Sequence, residues 1–199
     1  MPSFKQFSET AKQYGQGGSN NEWFRPPLGE SRIRILSEEF EVLAKHWDSL
    51  MRKSHVCYGQ DEGCPYDTTV KDKATGTVKT VHKPGIKYLV YLIDRADGKV
   101  KIGELPYSVI KVLEDLASSE EYGYDGAPSF DVIITKTKTG PQATDVEYSL
   151  IPSRKDSPIT EAEQKEFSEK ISLVELIDKM KIKAKDKTAS GGVPDVIEE

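Results

Sequence analysis

Residues 86–105, IKYLVYLIDRADGKVKIGEL, decide the fold class. From Tyr88 to Ile93 the chain is apolar at odd and even positions alike, so IKYLVYLIDR reads as a central strand buried on both faces. Asp97-Gly98 is a turn signal, and KVKIGEL returns as the partner strand. Toward the N-terminus, KDKATGTVKTVHK, 71–83, reads as a lysine-bearing hairpin around Thr75-Gly76, and FEVLAKHW, 40–47, as a strand. SRIRIL, 31–36, alternates polar and apolar, which puts Ile33 and Ile35 on the core face and Arg32 and Arg34 on the other. Residues 1–21, ending in GQGGSNN, read as a flexible arm.

Toward the C-terminus, PYSVIKVLEDLA, 106–117, predicts a helix. Pro106 suits its first turn, and Val109, Val112, Leu113 and Leu116 form one apolar stripe. FDVIITKTK, 130–138, and VEYSLIP, 146–152, are the last strands. Thr160 and Glu163 have capping-box spacing, and Phe167, Ile171, Val174, Ile177 and Met180 follow at helical intervals. Residues 184–199 read as a loose acidic tail. A helix set among strands predicts a mainly β protein, an OB-fold-like five-stranded Greek-key barrel with an inserted helix, a Cys/His loop and a C-terminal helix. The expected units are 1–21, a core over 22–153, a linker and helix over 154–183, and the tail 184–199.

The net charge of −5 argues against a uniformly basic nucleic-acid binder, but the charge is uneven. Residues 45–111 hold 12 Lys/Arg against 8 Asp/Glu, whereas every charged residue from Glu114 to Asp131 is acidic. The N-terminus lacks the pattern of a signal peptide and no apolar run is long enough to cross a bilayer, so the expected setting is cytoplasmic, with no membrane partner. In that reducing setting the two cysteines favour thiols or a metal over a disulfide. No G-x-S-x-G, P-loop or G-x-G-x-x-G is present, and no carboxylates pair convincingly, so the chain reads as non-enzymatic.

The stretch HWDSLMRKSHVCYGQDEGCPYD, 46–67, holds both cysteines and two of the three histidines. Its C-x6-C-P-Y spacing looks like the end of a zinc knuckle, with Asp67 where a third cysteine would follow. The plain alternative is an ordinary loop beside an exposed His46.

The RIRIL strand, the His-Trp strand end, the CP loop and the Lys-rich hairpin occur in a particular order. They are followed by the Tyr-bearing central strand, the D-x-x-D-G-K-V turn, the helix begun near Pro-Tyr, the F-x-V-x-I-x-K strand and a final Tyr strand. Over residues 22–153 this ordered set resembles the single-stranded DNA-binding proteins of T-even-type phages and their tailed-phage relatives. The resemblance implies an OB-fold and a non-enzymatic role in phage DNA replication, recombination and repair in the host cytoplasm. It also implies an arm for self-association along DNA and an acidic tail for replication and recombination proteins, here Asp195, Glu198 and Glu199. The arm shows no basic cluster. The family's structural zinc, carried over by position, would fall to His46, Cys57, Cys64 and Asp67, with His55 as a competing ligand. Two thiolates, an imidazole and a carboxylate are adequate zinc ligands.

Binding a single strand needs cations for phosphates and aromatic faces for bases. The candidates are Trp47, Tyr58, Tyr66, Tyr88 and Tyr91 among Arg52, Lys53, Lys71, Lys73, Lys83 and Lys87, with Arg32 and Arg34 on their strand face. Tyr88 also matches a family aromatic. Core packing is the competing role for each tyrosine, and Trp23 reads as a core or lid residue. The acidic tip could imitate phosphates and occupy the basic groove. The rival to DNA binding is an adaptor that meets proteins through the barrel and C-terminal helix.

Overall fold

The computed structural model describes residues 22–48, 53–66, 69–71, 78–80, 83–142, 145–155 and 157–189. Its strands are β1 (Trp23–Phe24), β2 (Gly29–Ile35), β3 (Glu41–Asp48), β4 (Lys53–Val56), β5 (Thr69–Lys71), β6 (Val78–Thr80), β7 (Gly85–Asp94), β8 (Lys99–Leu105), β9 (Val132–Lys138) and β10 (Val146–Pro152). Helix α1 (Tyr107–Ala117) lies between β8 and β9, and α2 (Glu161–Ser168) and α3 (Leu173–Ala189) follow β10.

The long strand β7 is central, as its two-sided apolarity requires. One edge pairs with β8; the other pairs with β3 through residues 85–89 and with β2 through residues 92–94. Strand β9 lies antiparallel to β2, and β10 to β9. The spatial order β9-β2-β7-β8 brings β9 back beside β2 across the sheet. The sheet of eight strands stays open: among the described residues β10 pairs only with β9. The expected lysine hairpin is present as the separate β5–β6 ladder, and its turn lies outside the described residues.

Successive side chains of β7 point to opposite faces, so one strand supplies two cores. Val90 and Leu92 join Ile33, Ile35, Val132, Ile134 and Leu150 in the first, which α1 covers with Val109, Ile110 and Leu113. Leu89, Tyr91 and Ile93 join Leu43, Val100 and Ile102 in the second, under Leu173 and Ile177 of α3. The β7–β8 turn is closed locally, with Asp94 Oδ1 accepting from Ala96 N–H at 3.0 Å and Asp97 Oδ1 from Lys99 N–H at 3.2 Å. Gly98, with φ 67°, takes the left-handed position there.

Ile33 and Ile35 face the core as expected, and Arg32 and Arg34 do share the opposite face. That face is not available to phosphate at Arg34, which is only 4% exposed. Its Nε donates to Asp131 Oδ1 at 2.7 Å, Arg95 Nη2 does so at 3.1 Å, and Arg32 Nη2 lies 2.6 Å from Oδ2. Arg34 and Arg95 also donate to the Ser157 carbonyl, and Arg95 Nη1 reaches Glu163 at 3.0 Å. A buried carboxylate therefore ties β2, β7 and the entrance of α2 together.

The capping box at α2 is formed as its sequence predicts: Glu163 N–H donates to Thr160 Oγ1 at 3.2 Å, and Thr160 N–H to Glu163 Oε2 at 2.8 Å. The expected single apolar stripe is corrected. The helix breaks after Ser168 and restarts with Ser172, whose Oγ accepts from Glu175 N–H at 3.1 Å. The restart resets the helical phase, so Leu173 and Ile177 are buried while Val174 is 53% exposed. Helix α3 continues to Ala189, past the boundary at 183 expected from sequence. The N-terminal arm and residues 190–199 lie outside the described residues. No described helix is long and apolar enough to cross a membrane.

Candidate metal centre and nucleic-acid interface

His46 lies on β3, while Cys57 and Cys64 bracket the loop that follows β4. Cys57 N–H donates to Ala44 O at 2.9 Å, which anchors the loop's start beside β3. A 3-10 turn at Gln60–Glu62 reverses the chain, and Cys64 N–H returns to Gly59 O at 3.2 Å. Gly59 and Gly63, with φ 99° and 74°, supply the left-handed residues this tight return needs. The two thiols and the imidazole converge, with donor atoms all within 4.8 Å of one another, and all three residues are buried.

Neither cysteine is in a disulfide. A tetrahedral zinc with Zn–S of about 2.3 Å and Zn–N of about 2.0 Å sets its donors roughly 3.5–3.8 Å apart, inside that spread. The donors present therefore fit zinc, and burial of His46 at 3% exposure removes the alternative of an exposed strand residue. His55 is the cross-strand neighbour of His46, and Tyr66 stacks with both rings, 4.3 Å from His55 and 6.0 Å from His46, but the convergent group contains His46. Asp67, the expected fourth ligand, lies outside the described residues. Helix α3 braces the loop: Tyr58 Oη and Thr188 Oγ1 are 3.1 Å apart, Lys185 pairs with Glu62, and Ala184 packs against the cluster of Cys57, Tyr58 and Cys64.

A second feature lies on the face of β3 and β7 that α3 does not cover. Phe40 packs edge-on to Tyr88 at 5.1 Å between centroids, and Tyr88 lies 6.3 Å from Tyr107 at the start of α1. Phe40 and Tyr107 are exposed, as are Val42 and Ile86 beside them. The row edges a cleft of ≈ 310 Å³ whose acidic lining is Glu38, Glu39 and Glu114. Lys83, just before β7, is exposed, and Lys87 on β7, in phase with Leu89 rather than Tyr88, is half-buried.

The structure distributes the other predicted residues unevenly. Trp47 is 65% exposed, across from Ser54 in the β3–β4 hairpin, and Lys53 is exposed nearby. Tyr91 is a core residue: its hydroxyl donates to Ile171 O at 2.9 Å, and burial, then the Glu22 carboxylate, raise its pKa. Tyr58 is likewise buried, against α3. These two are corrections to the sequence reading, because buried tyrosines fixed by tertiary hydrogen bonds offer no face for stacking. Arg52, Lys73, Asp195, Glu198 and Glu199 lie outside the described residues, as does the side chain of Lys71. Phe40 and Tyr107 were not singled out from sequence. Phe40 is in period-two phase with Val42, a signal that was present; Tyr107 reaches the row only through the placement of α1.

Comparison with protein-family models, characterised proteins and solved structures finds no match to this chain.

Proposed function

We propose that the chain is a single-stranded DNA-binding protein of the phage type it resembles, built on an open OB-like barrel and serving replication, recombination and repair. The observation that carries this reading is the row Phe40–Tyr88–Tyr107, half-buried at Tyr88 and exposed at Phe40 and Tyr107, at the N-terminal end of α1 on the sheet face that α3 does not cover. Stacking on such faces tolerates any base sequence. The strand order β9-β2-β7-β8, with α1 between β8 and β9, supports the OB assignment. Bases lie over the row, and the carboxylates of Glu38, Glu39 and Glu114 turn phosphates outward, away from the cleft. His46, Cys57 and Cys64 hold a structural zinc, which when bound cross-links a loop with little apolar content and supplies no chemistry. Residues 1–21 serve self-association along the strand, the acidic tail recruits other replication proteins, and the setting is the host cytoplasm.

The test is titration with oligo(dT) at several salt concentrations, followed by tryptophan and tyrosine fluorescence. Saturable quenching is expected, with log K falling by about 0.7 per phosphate contact for each unit of log salt. Tyr107→Ala should weaken binding about 5- to 150-fold, the equivalent of roughly 1–3 kcal/mol of stacking. The adaptor reading draws on the same cleft, whose three glutamates suit a basic protein segment. Absence of quenching at low salt would refute DNA binding and put the adaptor first.

A further inference from the structure

A groove of ≈ 620 Å³ runs between β4 and α3, on the opposite side of the β3–β7 sheet from the aromatic row. Trp23, Val56, Leu176 and Met180 give it an apolar floor, and Lys53, Lys183 and Lys187 give it a cationic rim. One wall is a strand edge: among the described residues β4 pairs only with β3. The Cys57 N–H to Ala44 O bond makes His46–His55 a hydrogen-bonded pair, so the backbone groups of Ser54 and Val56 point away from β3. An outward strand edge, an apolar floor and a basic rim together suit an extended peptide with apolar and acidic side chains.

The sequence of this chain contains such a peptide just after α3. The last turn of α3 lines the groove with Thr188, and the residues after α3 are SGGVPDVIEE. Ser190-Gly191-Gly192 permit a reversal, and Pro194 opposes continuation of the helix. Val193, Val196 and Ile197 match the floor, and Asp195, Glu198 and Glu199 match the lysines. Reach is sufficient. Leu176 lies roughly 18 Å back along α3 from Thr188 at helical rise, and ten extended residues span up to about 33 Å.

We propose that residues 193–199 fold back into this groove and add to the outer edge of β4 as a strand. Docked there, the acidic segment sits behind the sheet and leaves the aromatic row open, unlike a tail that competes with DNA for its own groove. The proposal does not depend on DNA binding. A partner that recruits the segment must first strip it from β4, and α3 and the Cys57–Cys64 loop lose a brace when it leaves.

Hydrogen exchange of the Ser54 and Val56 amides tests this in the full chain, in a chain ending at Ala189, and in the full-length Ile197→Asp variant. Exchange at both amides should be about tenfold or more slower in the full chain than in either altered chain, with β7 amides unchanged as the control for folding. Protection should be independent of protein concentration. Equal rates in all three chains would overturn the proposal. Protection that fades on dilution would also overturn it, because the strand would then come from a second copy.

Discussion

Replacing Asp131 by Asn tests whether its arginine cluster holds the two halves of the molecule together. The carboxylate is fully buried and meets Arg34 at 2.7 Å, Arg95 at 3.1 Å and Arg32 at 2.6 Å. Asparagine keeps the shape but removes the buried negative charge that Arg34 meets through its Nε. Removing one partner of a buried ion pair costs about 3–5 kcal/mol, because the remaining charge stays desolvated. For a chain of this size that is a fall in melting temperature of about 6–20 °C. Urea denaturation of both proteins at neutral pH measures the difference directly. Burial alone would raise the Asp131 pKa, but hydrogen bonds and charge from Arg95 and Arg34 outweigh it and hold it below the usual carboxylate range. A depressed folded pKa means the contribution is present above the unfolded value. It is lost as pH falls below about 4, through the folded value. The stability gap between wild type and Asp131→Asn should therefore narrow in acid. A loss under about 1 kcal/mol at neutral pH, or a gap that does not change with pH, would refute the reasoning.

The reset phase of α3 predicts unequal neighbours: Ile177→Ala should cost about 2–5 kcal/mol by leaving a cavity, while Val174→Ala stays within about 0.5 kcal/mol. Equal losses in urea denaturation would mean that the two helices are one. Elemental analysis should find about one zinc per chain, abolished in Cys64→Ser, and a chelator should lower the melting temperature of the native protein but not of the variant. Native protein without metal, indifferent to chelator, would leave the three donors as core residues.

What could be read in the sequence was what short range dictates. The period-two pattern of SRIRIL placed Ile33 and Ile35 inward, the unbroken apolar run of 88–93 made β7 central, and Thr160 with Glu163 announced a helix start. What was hidden depended on partners far along the chain. Arg34 looked like a phosphate contact because Asp131, which buries it, is 97 residues away. Tyr91 is in the same position, since Ile171 that accepts its hydroxyl is 80 residues on. Val174 was misplaced because an even spacing of apolar residues runs straight through the break at Ser172. The candidate metal centre was half legible: the cysteine spacing was visible, but the choice of His46 over His55 needed the folded convergence of its imidazole with the two thiols.

The bracing of the Cys57–Cys64 loop by α3 also sets an order of events during synthesis. Tyr58 meets Thr188 across 130 residues of chain, and Glu62 meets Lys185 across 123. At translation speeds of roughly 5–20 residues per second, the loop leaves the ribosome about 6–25 s before the helix that covers it. Through that interval the two thiols have emerged without their lid. Any metal bound in that interval meets α3 only afterwards, when Ala184 closes on the cluster of Cys57, Tyr58 and Cys64.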